Sequence, residues 1–178
     1  MDFRIEVVTK YLPMLLQGMK MTVQLTSIAV TAGTIIGLFI SLLRLSRFKP
    51  LVWLARAYVD FLRGTPLLVQ IFLVHYGLPR LLGTNSISPD ISGSIALCIN
   101  SGAYTAEIFR AGIQSIDRGQ MEAARSLGMT YAQAMYYIIL PQAFKRCIPP
   151  LGNEFIAMLK DSSLVSVIAL RELTQSGR

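Results

Sequence analysis

Charge is scarce in this chain, and acidic charge scarcer still. Only 15% of its 178 residues are charged and 10 are acidic, where an ordinary soluble domain carries about 25%. With 53% hydrophobic residues and a mean hydropathy of +0.51, that scarcity excludes an ordinary soluble domain and favours a membrane protein. Histidine occurs once, at His75, and cysteine twice, at Cys98 and Cys147. Two cysteines with no histidine nearby indicate neither a disulfide framework nor a metal site. The absence of a Ser/His/Asp set and of H-E-x-x-H argues against an intramembrane enzyme. There is no G-x-x-x-x-G-K-[ST] loop, so the chain cannot cradle ATP phosphates by that device. The net charge of +7 comes with no nucleic-acid-binding motif, so nucleic acid is not an expected partner. The N-terminus, with acids at Asp2 and Glu6 and no clean cleavage site, does not read as a removable signal peptide. Internal repeats and low-complexity tracts are also missing.

What the chain does have is apolar runs separated by short basic clusters. Residues 1–20 are amphipathic and interrupted by Pro13, which reads as an interfacial segment. Residues 21–43 contain no charge. At ~1.5 Å per residue they can cross a ~30 Å hydrocarbon core. Gly33 and Gly37 form a GxxxG pair, either a close helix–helix contact or ordinary glycine use in a membrane helix. Arg44, Arg47 and Lys49 follow, a basic cluster that predicts a cytoplasmic end and an N-terminus outside. A second span is expected over 54–80, with Trp53 and Tyr58 as interfacial aromatics. Arg56, Asp60 and Arg63 share a helix face that reads as solvated. His75 reads as packing rather than as a proton site, although an intramembrane histidine is a default suspect. Residues 83–89 are turn-rich and belong to a short external loop.

A third span is expected over 91–113. Asn100, Tyr104 and Glu107 form a polar stripe along it. Glu107 pairs with Arg110 at the membrane edge, which leaves Asn100 and Tyr104 as candidates to line a path. A fourth span over 149–170 is opened by Pro149 and Pro150 and interrupted by Glu154, Lys160 and Asp161. Asn153 and Lys160 share one stripe, and Glu154 and Asp161 another about 100° round the helix. Each such charge costs roughly 2.5 to 3.5 kcal/mol to insert, so three in one span point to a polar pathway or ligand site. Glu154 and Asp161 can hold a cationic side chain or an α-amino group; Lys160 can receive an α-carboxylate or neutralise Asp161. Ser162 and Ser163 are a place for the helix to break where backbone lines a cavity.

Between the third and fourth spans, residues 117–141 are too polar to cross a membrane. Asp117 is a candidate N-cap and Gly128 a candidate left-handed terminator of the helix after it. Thr130 with Gln133 reads as a capping box for a second helix that ends near Pro141. Glu122 and Arg125 stand at i, i+3, and Ala123 and Ala124 offer a surface for close approach. Arg118, Arg125, Lys145 and Arg146 mark the segment as cytoplasmic. A solvated helical hairpin has the same local features.

One pattern in this segment goes further. Glu122, Ala123, Ala124, Gly128, Ile138, Leu140 and Pro141 spell E-A-A, three residues, G, nine residues, I, one residue, L-P. This resembles the signature cytoplasmic loop of ABC-importer membrane subunits. RGTPLLVQ (Arg63–Gln70), SGAYTAEIFRAGI (Ser101–Ile113) and GNEFIAMLKDSSL (Gly152–Leu164) are similar to the polar amino-acid branch of that family, so the resemblance covers nearly the whole chain. It implies an all-α polytopic membrane bundle of the type I importer permease kind, one domain over 1–178 with at least four spans and a fifth expected beyond residue 178. The bundle is expected to be multi-pass in a bacterial-type cytoplasmic membrane, in contact with lipid. The chain itself is expected to be non-catalytic and to bind no cofactor. Two separate ATPase subunits using ATP and magnesium would dock on Glu122, Ala123, Ala124, Arg125 and Gly128. A second permease subunit, identical or related, and an extracytoplasmic binding protein that delivers the amino acid complete the expected partners. Asn153, Glu154, Lys160, Asp161, Asn100 and Tyr104 are the expected substrate contacts. The rival from another class is a passive channel or a structural membrane protein; neither needs a docking loop.

Overall fold

The computed structural model describes residues 5–46 and 48–178, with only the backbone for 5–8; Asp2, the side chain of Glu6 and Arg47 lie outside the described part. Helices dominate: α1 (Ile5–Arg44), α2 (Lys49–Gly64), α3 (Leu67–Phe72), a π turn (Leu73–Gly77), α4 (Leu78–Leu81) and α5 (Pro89–Gln114). Then come α6 (Arg118–Ser126), α7 (Tyr131–Ala134), a π turn (Met135–Ile139), α8 (Leu140–Asp161), a 3₁₀ stretch (Ser162–Ile168) and α9 (Leu173–Ser176). No strand occurs among the described residues. By length and composition, one described helix can cross a membrane alone, the Thr9–Arg44 part of α1, and the bent α2–α4 unit qualifies as a second if taken as one span.

The long α1 lies along α5 over most of its length. Gly33 and Gly37 make that approach possible. A Cβ at Gly33 would meet the Ser101 side chain at 2.6 Å, and one at Gly37 would lie 2.8 Å from the Ala106 backbone nitrogen. The GxxxG pair is therefore a helix–helix contact. Leu25 and Ala29 of α1, Ile71 of α3, Ala96 and Leu97 of α5, Met158 of α8 and Val165 form the main core. Gly37→Val is expected to lower the thermal midpoint of the purified assembly, by about 2 kcal/mol of overpacking. Part of the clash is with backbone, which no rotamer change relieves. An unchanged melting curve would rule out the close contact.

Three expected boundaries differ. Pro13 does not interrupt α1; it sits inside the helix. A proline kinks a helix without necessarily ending it, and the turns after it are held by packing: Gly18 lies against Ser176, and Thr22 Oγ1 accepts the Leu173 N–H at 3.1 Å. Next, one helix over 54–80 was expected, but the chain turns by 109° between α2 and α3. Thr65 is extended there, the conformation favoured before Pro66. Finally, neither Pro141 nor Pro149–Pro150 marks a boundary between loop and span. α8 runs through all three. The π turn before it sends the Leu140 N–H to Met135 O, a local widening that lets the helix pass the ring of Pro141. α8 gives way to the 3₁₀ stretch at Ser162, where Ser162 Oγ donates to Leu159 O.

Candidate functional site

The bend after α2 is built from polar side chains. A helix end leaves its last carbonyls without partners. Here Thr65 Oγ1 donates to Phe61 O at 2.8 Å, and the buried Gln70 donates through Nε2 to Leu62 O at 2.7 Å and Thr65 O at 3.1 Å. Asn100 Nδ2 in turn donates to Gln70 Oε1 at 2.9 Å. Asn100 is thus buried against the bend. Tyr58 joins α2 to α5 by donating to Ile99 O, while Trp53 is exposed. Arg56 and Asp60 are exposed on the solvated face. His75 Nδ1 lies 2.7 Å from Ser92 Oγ, a hydrogen bond to the start of α5.

Glu107 gathers more than its expected partner. Its carboxylate pairs with Arg110, and Oε2 also accepts from Arg44 Nη1 at 2.7 Å. Arg63 stands 4.0 Å from the same oxygen, with its guanidinium 5.3 Å from the centre of the Tyr104 ring. The ends of α1 and α2 therefore converge on one carboxylate of α5. Arg63, Tyr104 and Glu107 line a cleft of about 350 Å³ that reaches Arg146 and Pro150 of α8.

On α8, Asn153, Lys160 and Asp161 are exposed and Glu154 is partly buried. Glu154 lies beside Ser101 and within electrostatic range of Arg63 and Asp161. The four residues therefore do not close a pocket within one chain. Exposed Phe155, Ile156 and Leu159 lie among them round α8, so this end of the helix is largely uncovered within one chain.

At the end of the bundle next to the Glu107 cluster, Asp117 Oδ1 accepts the Gly119 N–H at 2.7 Å and opens α6. Gly128 has φ +84°. Its N–H goes to Arg125 O, and the Met129 N–H goes to Ala124 O, the Schellman pattern of a left-handed helix stop. Thr130 and Gln133 cap each other reciprocally. Met121 packs on Ile116, Ile139 and Ala143 and ties α6 to the bundle. Glu122 and Ala123 are exposed and so is Arg125, but Ala124 is buried against the chain's own loop. The expected Glu122–Arg125 pair is replaced, since Arg125 Nη1 donates to Met129 O at 2.7 Å. Leu127, the expected end of this helix, is 85% exposed at the tip.

Residues 29–178 match the family described as binding-protein-dependent transport system inner membrane component. The chain belongs to this family. Among inner membrane components of this kind, it is 42% identical over 162 residues to the arginine transport system permease protein ArtQ of Bacillus subtilis, covering 91% of this chain and 74% of that one. It is 46% identical over 160 residues to the probable glutamine ABC transporter permease protein GlnM of the same organism, covering 88% and 71%. A solved amino acid ABC transporter, described as with histidines, superposes with a TM-score of 0.93 at 51% identity, over 98% of this chain and 81% of the other. The fold is accordingly that of a type I importer permease, an all-α membrane bundle. Membership makes this chain a non-catalytic membrane component of a transport system, and the passive channel is not favoured.

Proposed function

We propose that this chain is the membrane-spanning subunit of an ATP-driven importer for polar amino acids, basic ones included. The observation that carries the reading is the capped helix α6 with its Gly128 stop, held at one end of the bundle with Glu122, Ala123, Arg125 and Leu127 facing out. A chain without a phosphate-binding loop has a use for such a knob if two separate ATPase subunits, consuming ATP and magnesium, grip it. This inner-membrane component is multi-pass, with Arg44 and α6 on the cytoplasmic side and the N-terminus outside, as the basic clusters support. A second permease subunit covers the exposed end of α8, so that Glu154 and Asp161 border a path shared between subunits, with Asn153, Lys160 and Tyr104 along it. Asn100 contributes by holding Gln70 at the bend. An extracytoplasmic binding protein delivers the amino acid, and closure of the ATPases alternates the access of the path.

The test is ATP-driven uptake in lipid vesicles containing the complete complex, screened over the twenty amino acids. Glu154→Gln keeps shape and removes charge. Uptake is expected to fall about tenfold, the lower end of a charged hydrogen bond at ~1.5 kcal/mol, since the group is only partly buried. Wild-type uptake in that variant would remove Glu154 from the path, and passive uptake without ATP would overturn the importer reading.

A further inference from the structure

The cleft between α5 and α8 holds an arginine whose donors are not used. Glu107 spends both carboxylate oxygens on Arg44 and Arg110. Arg63 is 4.0 Å away, outside hydrogen-bond range, and no hydrogen bond from its guanidinium occurs among the described residues. Its guanidinium lies 5.3 Å from the centre of the Tyr104 ring, a cation–π contact that leaves the planar fork available to a carboxylate. Arg146 enters the cleft from α8, with one nitrogen on Ser115 O. Three arginines thus surround one fully engaged acid, and a fourth, Arg146, lines the same cleft. Among the described residues the one acid of the cleft is already engaged, whereas an anion meets the guanidinium of Arg63, which donates no hydrogen bond.

We infer that this cleft is a carboxylate-binding stop on the exit side of the path, where Arg63 receives the α-carboxylate of the passing amino acid. It adjoins Glu154, whose carboxylate lies within electrostatic range of Arg63. The inference rests on the importer reading and adds to it the recognition of a group that every amino acid carries. The volume of about 350 Å³ is of the size that small-molecule pockets have. A lipid phosphate offers related chemistry, so the test separates the two sources.

The probe is a single reporter thiol, Ala111→Cys, on the exposed wall of the cleft, in the assembled importer with Cys98 and Cys147 replaced by alanine. Alkylation is timed in nanodiscs of phosphatidylcholine alone. Acetate at tens of millimolar is expected to slow the reaction several-fold, and acetamide to leave it unchanged. Equal effects of the two, or none, overturn the site without any change at position 63. Arg63→Gln is expected to abolish the protection by acetate, and its persistence would overturn the role of Arg63. If phosphatidylglycerol protects without acetate, and acetate adds nothing, the site is a lipid headgroup site and the amino-acid assignment falls. ATP-driven uptake on the same preparation reports on the importer reading separately. Normal uptake without protection overturns the cleft alone.

Discussion

Gly128→Val is expected to uncouple the transporter while leaving the bundle intact. Gly128 sits at φ +84°, and an added Cβ would meet nothing within 4 Å. The penalty is therefore conformational rather than steric. The left-handed region costs an ordinary residue roughly 1 to 2 kcal/mol, and a β-branched one is a genuine outlier there. A turn that escapes this cost gives up the Gly128 N–H to Arg125 O and Met129 N–H to Ala124 O bonds. Leu127 then swings away and α6 loses its stop. Stimulation of ATP hydrolysis by amino-acid-loaded binding protein should vanish, or the ATPase subunits should detach. The residue series makes the test specific. Asparagine tolerates the left-handed region and should stay near wild type, with alanine between asparagine and valine. Membrane abundance should be equal in all three. Normal stimulation in the valine variant would return this turn to an ordinary helix stop.

The largest loss of stability is expected for Glu107→Gln. Its carboxylate takes two hydrogen bonds from Arg110 and one from Arg44, and it faces Arg63. Neutralising it leaves three arginines facing one another at the junction of α1, α2 and α5. Breaking a buried pair by removing one partner costs about 3 to 5 kcal/mol, and the 22% exposure of the Glu107 side chain favours the lower end, about 3 kcal/mol. The measurement is the thermal midpoint of the purified complex. Adding Arg44→Gln should restore part of the loss, since the two side chains touch and their effects should not add. Additive losses would mean that the Arg44 contact carries no energy.

The residues around Glu107 illustrate what each level of description can reach. The i, i+3 pair with Arg110 is written in the sequence, because helix geometry alone brings it together. Arg44 is 63 positions away, and only the packing of α1 on α5 through Gly33 and Gly37 delivers it. The α8 face is similar. Its charge pattern is legible as a stripe, but that Asn153, Lys160 and Asp161 face outward follows from which side of α8 packs on α5.

Sequence alone determined the features decided within about four residues: the Asp117 cap, the Thr130–Gln133 box and the left-handed stop at Gly128. Each depends on backbone φ or on a hydrogen bond to a near neighbour, and the neighbours are written beside it. Tertiary structure decided the 109° turn after α2, the burial of Asn100 on Gln70, the inward face of Ala124 and the passage of helix through Pro13, Pro141, Pro149 and Pro150. At those positions the local preference is worth a few kcal/mol at most, and contacts with chain far away in sequence outweigh it.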